Sequence, residues 1–450
     1  MPGHAPRRSR TRLTVAVGIA VVAALAATAP VAASEGWGDS TPSARTDDDQ
    51  GNSPAGDRVE VEYFNGPGNH PRHRQVPASA PLTKKQHHKI KDDGDVVPIK
   101  EAGPSDAKVD VVFIGDGYTA DQQEDFRTDV RRNWEQVAKV EPYAQYKDLF
   151  NVWAVDAHSK DSGVSGDPTS DVRKNTALGS YFFCDGMERL LCVDENKVEA
   201  YASKAADPDL VIVLSNSSKY GGAGYNDISS PSGYDGIATA SSDNAQAVQL
   251  VVHESGHSFG KLADEYWYSE DEHTGPEPGE PNLSTLSAEE MAAQRTKWHR
   301  WLGQDSPDGG KVGTFEGGGC CARGVNRPTE NSIMRTLGQE FNLPGREAMI
   351  AGFHKHAPAV SSTTPTGRLL RGAKRIRIEA SEKARVRWLV DGREARKARG
   401  DRSVTPGTLG VPDDGRTHTV TVRATNPTEA VRDPQLRKLL NGTLQWNVKR

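Results

Sequence analysis

The tightest limit on what this chain can become is set by Val248-Gln249-Leu250-Val251-Val252-His253-Glu254-Ser255-Gly256-His257. A helix starting near Asp243-Asn244 runs through Ala245, Val248, Leu250, Val251 and Val252, and this apolar helix ends in two imidazoles and a carboxylate. Helical residues four apart lie about 40° apart around the axis, so His253 and His257 point the same way. Two imidazoles one turn apart can bind a single Zn2+ through neutral nitrogens. Glu254, beside that ion, can take a proton from a zinc-acidified water that attacks a peptide carbonyl, and hand it on to the leaving amine. The competing reading is a helix whose two histidines are ordinary surface or core residues.

A structural zinc takes four protein ligands, whereas a catalytic one leaves a position for water, so one further ligand is expected. Gly260 suits the HExxHxxG start of metzincins, where a glycine lets the helix end and the chain turn back. The usual third position falls on Ala263, which cannot ligate; Asp264 follows it and is the expected ligand, with Glu265 as its rival. Glu277 stands where another metallopeptidase class would place a glutamate, but Pro276, Pro278 and Gly279 leave no helix to present it. Asn331-Ser332-Ile333-Met334-Arg335 suits a methionine turn, with the polarisable thioether beneath the histidines; alone, Met334 would read as core. Tyr266 and Asp116 are candidates for the cleft, the first otherwise a core aromatic and the second, like Tyr118, a turn residue.

Around this segment strands alternate with helices. Val109–Ile114 is a buried-type run stopped by Gly115-Asp116-Gly117, Ala120 to Val140 has helical spacing, and Phe150–Val155 and Leu210–Leu214 are further strands. Gly236–Ala240 reads as a weak edge strand, and Leu286–Trp301 as a helix. The pattern predicts a mixed α/β sheet. Val59–Phe64 alternates ahead of a stretch rich in proline and histidine, which predicts a β-rich N-terminal domain over 58–103 before the α/β domain at 104–356. After a linker at 357–367, period-two alternation at 375–378, 386–390 and 417–422, with turns at Asp391-Gly392 and Asp413-Asp414-Gly415, predicts a small β-sandwich over 368–450.

Arg7, Arg8, Arg10 and Arg12, the apolar run Leu13–Ala29 and the small residues Val31-Ala32-Ala33 read as an export signal over 1–33, followed by a disordered linker at 34–57. The apolar run is short of the ~20 residues a membrane span prefers, and no second span follows. Loss of 1–33, with four arginines and no acid, takes the formal charge from −5 to −9, which argues against nucleic acid as a partner. In an exported chain the four cysteines are expected to be oxidised. Cys184 with Cys192 closes a short loop and is the preferred bond, leaving Cys320 and Cys321 as a vicinal disulfide or a free pair. Asn216, Asn282 and Asn441 fit the glycosylation pattern.

The stretches HESGHSFGKLADEY, FEGGGCCARGVNRPTENSIMR and FNLPGREAMI, with VVFIGDGYT and HTVTVRATNPTEAVRD, resemble the IgA-peptidase family of zinc metallopeptidases over roughly Arg58 to Arg450. The resemblance implies an N-terminal β-domain, a metzincin-like catalytic domain and an Ig-like C-terminal β-sandwich. It also implies one zinc ion on His253 and His257, Glu254 as general base and a carboxylate at Asp264. Cys320-Cys321 departs from the family's pattern. Together these readings make the chain a secreted endopeptidase acting on proteins or peptides. Two alternatives are a catalytically inactive binding protein on the same fold and a zinc hydrolase with a non-peptide substrate.

Overall fold

In the computed structural model, residues 57–66, 70–381 and 383–450 are described. The export signal expected at 1–33 and, but for Asp57, the linker at 34–57 lie outside the described residues. The central element is an eight-stranded sheet made of β1 (Arg58–Phe64), β2 (Pro71–Pro77), β3 (Val96–Lys100), β4 (Val109–Asp116), β5 (Phe150–Val155), β6 (Leu210–Ser215), β7 (Gly222–Ser229) and β8 (Asp235–Ser241). Its spatial order is β2-β1-β7-β8-β6-β4-β5-β3. β4 pairs in parallel with β5 and β6, and β6 with β8, while β3, β7, β1 and β2 join antiparallel.

The apolar runs explain the layering. Val109, Val111 and Phe113 enter one core, and Val112 and Ile114 enter another on the opposite face; Leu210, Ile212 and Leu214 alternate with Val211 and Val213 in the same way. Strands buried on both faces are continuous in hydrophobicity because helices cover both sides. On the second face lie Ile90 of α1 (Lys84–Lys91) and Val198 and Tyr201 of α4 (Glu195–Ala202). On the first lie α2 (Gln123–Val137), the short α3 (Tyr143–Tyr146), α5 (Val248–Gly260) and α7 (Leu343–His356). A smaller cluster joins Met291 of α6 (Ala288–Gln294) to Trp298 and Trp301.

Several expectations are corrected. The described residues of 58–103 form no separate β-domain: β1 registers against β7 at Glu62–Gly224 and β3 against β5, because their buried faces complete the central sheet. β8 is interior, not an edge, because it pairs with β6 on one side and with β7 on the other. α5 starts at Val248, not near Asp243, because Asn244 Oδ1 accepts from Gln246 N–H in a local turn that competes with the helix. α6 is shorter than expected and ends at Arg295 in the left-handed conformation (φ 54°). Asn282 is fully buried, its amide bridging Ala263 and Glu265, so it is no glycosylation acceptor in the folded chain.

Downstream of α5, β9 (Trp267–Glu272), β10 (Phe315–Gly318) and β11 (Cys320–Arg327) make a three-stranded sheet in the order β10-β11-β9. The C-terminal part has a five-stranded sheet, β12-β18-β17-β14-β15, from β12 (Leu369–Arg371), β14 (Arg385–Val390), β15 (Arg393–Glu394), β17 (His418–Thr425) and β18 (Asn441–Lys449). A two-stranded sheet of β13 (Ile376–Arg377) and β16 (Ser403–Val404) shares its core, where Trp388 and Trp446 stack at 5.9 Å. The expected linker at 357–367 is packed down: Ala357 belongs to the α/β core and Val360 to the C-terminal core. Val431 and Leu440 in turn join the α/β core. Cys184 and Cys192 form a disulfide, and Cys321 is also disulfide-bonded. Among the described residues no helix is long and apolar enough to cross a membrane.

Candidate metal centre

α5 carries His253, Glu254 and His257 into the molecule with exposures of 0% and 1% for the first two. Gly256 lies between them because a Cβ there would come within 2.6 Å of Met334 Sδ. Met334 is buried below the helix, and the preceding carbonyl, of Ile333, accepts from His253 Nδ1–H at 2.9 Å. His257 Nδ1–H donates to the Leu262 carbonyl at 2.7 Å. A carbonyl can only accept, so both protons sit on Nδ1 and both Nε2 atoms present lone pairs when the rings are neutral.

The helix ends at Lys261, which takes the left-handed conformation (φ 50°). The turn therefore rests on Lys261, not on Gly260, whose missing side chain instead admits Leu262 and Met349 Sδ. The returning chain brings Asp264 Oδ1 to 3.3 Å from His253 Nε2 and 3.4 Å from His257 Nε2. Glu265, the rival, points elsewhere: it accepts from Ser332, Asn282 and Asn342 and staples the returning chain to the Met334 turn. Burial pushes its carboxyl up, against those hydrogen bonds. Glu277 is held in a loop by Ser284 and Thr285.

A fourth member of the cluster was not expected from sequence. Glu62, on β1, is 1% exposed and places Oε1 at 3.0 Å from His253 Nε2 and Oε2 at 3.2 Å from His257 Nε2. The ligand atoms of Glu62, His253, His257 and Asp264 all lie within 4.8 Å of one another. Tyr266 donates its hydroxyl to Glu62 Oε1 at 3.1 Å, and His73 on β2 bridges Tyr266 and Asp264 at 2.8 and 3.2 Å. Alternation in β1 marked Glu62 only as one polar strand position; nothing local tied it, or His73, to the histidines. Asp116, proposed for the cleft, is instead a buried staple that accepts from Leu178 N–H, Ser180 N–H and the Thr176 hydroxyl. The cleft, of about 250 Å³, is lined by Glu60, Glu62, His73, His257, Asp264 and Tyr268 among others.

The electrostatics test whether a cation fits. The two Nε2 atoms stand 3.1 Å apart, and Asp264 Oδ1 is buried with no hydrogen bond. Neutral imidazoles would leave only acceptors facing one another, an arrangement that a cation at their centre satisfies. Without it, burial opposes charge on His253 but Glu62 and Asp264 outweigh burial, and its pKa is pushed up to about 10. Burial and Asp264 raise the Glu62 carboxyl, yet the histidines prevail and hold it below the ordinary range. Two imidazoles with carboxylates form a donor set that suits a divalent cation of intermediate softness.

Glu254 belongs beside that set, not in it. Asn226 Nδ2 donates to its Oε2 at 2.9 Å, and its Oε1 is buried without a hydrogen bond. Burial first, then the Glu62 charge, push its carboxyl up to about 8. Gly224 on β7 makes room for it, since a Cβ there would lie 1.9 Å from Glu254 Oε2.

A family model for IgA Peptidase M64 matches residues 97–308 and 302–353, more than half of the chain. The chain belongs to this family. Membership in IgA Peptidase M64 makes it a peptidase of metallopeptidase type, and the matched residues include α5 and the Met334 turn. They do not include β1 and β2, so Glu62 and His73 stand outside the match. No curated protein matches the chain.

Proposed function

We propose that this chain is a secreted, zinc-dependent endopeptidase with one ion held by His253, His257 and Asp264 and with Glu254 as general base. The observation that carries the reading is the pair of Nε2 lone pairs aimed at one point beside buried carboxylates, each ring locked by a carbonyl on its Nδ1. Such outer bonds orient a ligating histidine and fix its tautomer. Zinc suits imidazole with carboxylate.

When bound, the ion supplies a Lewis acid that acidifies water and polarises a peptide carbonyl. Glu254, beside the ligands and outside their set, would accept the proton and return it to the leaving nitrogen. Asn226 keeps one Glu254 oxygen in place and leaves the other free to act. Burial holds the Tyr266 phenol well above its ordinary pKa, so it stays a donor at the edge of the site. Export is supported by the arginines and apolar run of 1–33 and by the Cys184–Cys192 bond, which persists in oxidising compartments.

Metal content and casein hydrolysis of three proteins test this reading. Glu254→Gln should keep zinc and lose about 10²–10⁴-fold in turnover, the usual worth of a general base. Asp264→Ala should lose metal affinity. Full hydrolysis by Glu254→Gln, or undiminished activity after chelation, would sink it.

A further inference from the structure

Four protein side chains converge where a catalytic zinc needs three and an open position; four is the complement of a structural site. Yet a structural site has no use for Glu254, a buried carboxylate with one oxygen left without a donor. The surplus ligand is identifiable. His253, His257 and Asp264 come from α5 and its return, inside the family match, whereas Glu62 comes from β1, outside it. Building on the zinc reading, we propose that the β1–β2 hairpin is a latch. Glu62 closes the position that water and the substrate carbonyl require, and the peptidase works when the hairpin is withdrawn.

The hairpin has the construction such a latch needs. β1 and β2 pair with each other over seven register positions, from Arg58–Pro77 to Phe64–Pro71, so they move as a unit at the end of the sheet. The inner face brings Glu62 to the histidines and sets Phe64 edge-on to His253 at 5.1 Å. On β2, His73 joins Glu60, Tyr266 and Asp264 and lines the same cleft. Outer ties are solvent-facing ion pairs of Arg58 and Arg74 with Asp185. Exposed pairs of this kind contribute little and are screened by salt. Inside, Val61, Tyr63 and Phe64 are buried apolar anchors and β1 pairs with β7 at Glu62–Gly224, so the closed state is the resting one.

The test compares wild type with Glu62→Ala, both cobalt-loaded, and titrates acetohydroxamate while following the cobalt absorption bands. Glu62→Ala should bind the hydroxamate at least ten-fold more tightly, release metal to a chelator at least ten-fold faster, and hydrolyse casein at least ten-fold faster. Equal hydroxamate affinity in the two proteins would mean that the position is already open and would overturn the latch. A fall in casein hydrolysis with metal retained would overturn it too, making Glu62 a working part of the site. Tighter hydroxamate binding with no hydrolysis by either protein would leave the latch standing and overturn the peptidase reading instead. If Glu62→Ala does not fold, Glu62→Gln carries the same comparison, with thermal unfolding as the check.

Discussion

The placement of Glu254 depends on a residue that has no side chain. Gly224 gives up the volume in which the carboxylate lies, and a methyl group there would sit 1.9 Å from Oε2. The obstructing atom is the end of a flexible side chain, so Gly224→Ala should displace the carboxylate and leave the backbone alone. We expect casein hydrolysis to fall on the order of 10²-fold, the usual cost of misplacing a catalytic group by about 1 Å, while the urea midpoint scarcely moves. Wild-type turnover in this variant would show that Glu254 need not lie where it does. The contrast with Glu265 is instructive. Both carboxylates are buried, but three side-chain donors satisfy Glu265 whereas Glu254 keeps an oxygen without one. Satisfied groups hold structure together; the incompletely satisfied one is free to exchange a proton.

At the scale of elements, α5 is held between β8 on one side and α7 on the other. The contact with α7 is close because Gly352 lies against the Phe259 carbonyl, where a Cβ would come to 2.1 Å. Here the obstruction is backbone, which cannot rotate away. Gly352→Ala should therefore separate the helices and destabilise the protein by roughly 1–3 kcal/mol, the range for overpacking a core. Chemical denaturation measures this, and an unchanged midpoint would refute the close packing. Because α5 bears His253 and His257, the same variant should also weaken metal retention, whereas Gly224→Ala should not.

Across the whole molecule, the α/β part and the C-terminal sheets share a junction at the end of α7. His354 is buried there; its Nδ1–H donates to the Ala357 carbonyl and its Nε2 faces Asn426 Nδ2 at 3.3 Å. An amide N–H needs a lone pair on Nε2, so the ring must be neutral. Burial lowers its pKa from 6.5, against the Ala357 bond. A folded-state pKa below the unfolded value means that the unfolded chain binds the proton more readily. The contribution of His354 is thus complete above about 6.5 and is lost as pH falls through the folded-state pKa. Thermal unfolding of wild type should drop between neutral pH and pH about 5 by more than that of His354→Gln. Parallel curves for the two proteins would remove His354 as the cause.

What the sequence determined by itself was whatever depends on near neighbours in the chain. Helical spacing aligns His253 with His257, the apolar runs at 109–114 and 210–214 make strands buried on both faces, and Pro276 and Pro278 keep Glu277 off a helix. Only the tertiary structure could decide what depends on distant segments meeting. Glu62 reaches the histidines because β1 completes a sheet edge beside β7, and Asp264 rather than Glu265 faces them because Lys261 turns left-handed. Asp116 and Asn282 looked available and are buried staples. The physical reason is the same throughout: periodicity governs which way neighbouring side chains point, whereas burial and the pairing of remote polar groups follow from how the whole chain packs.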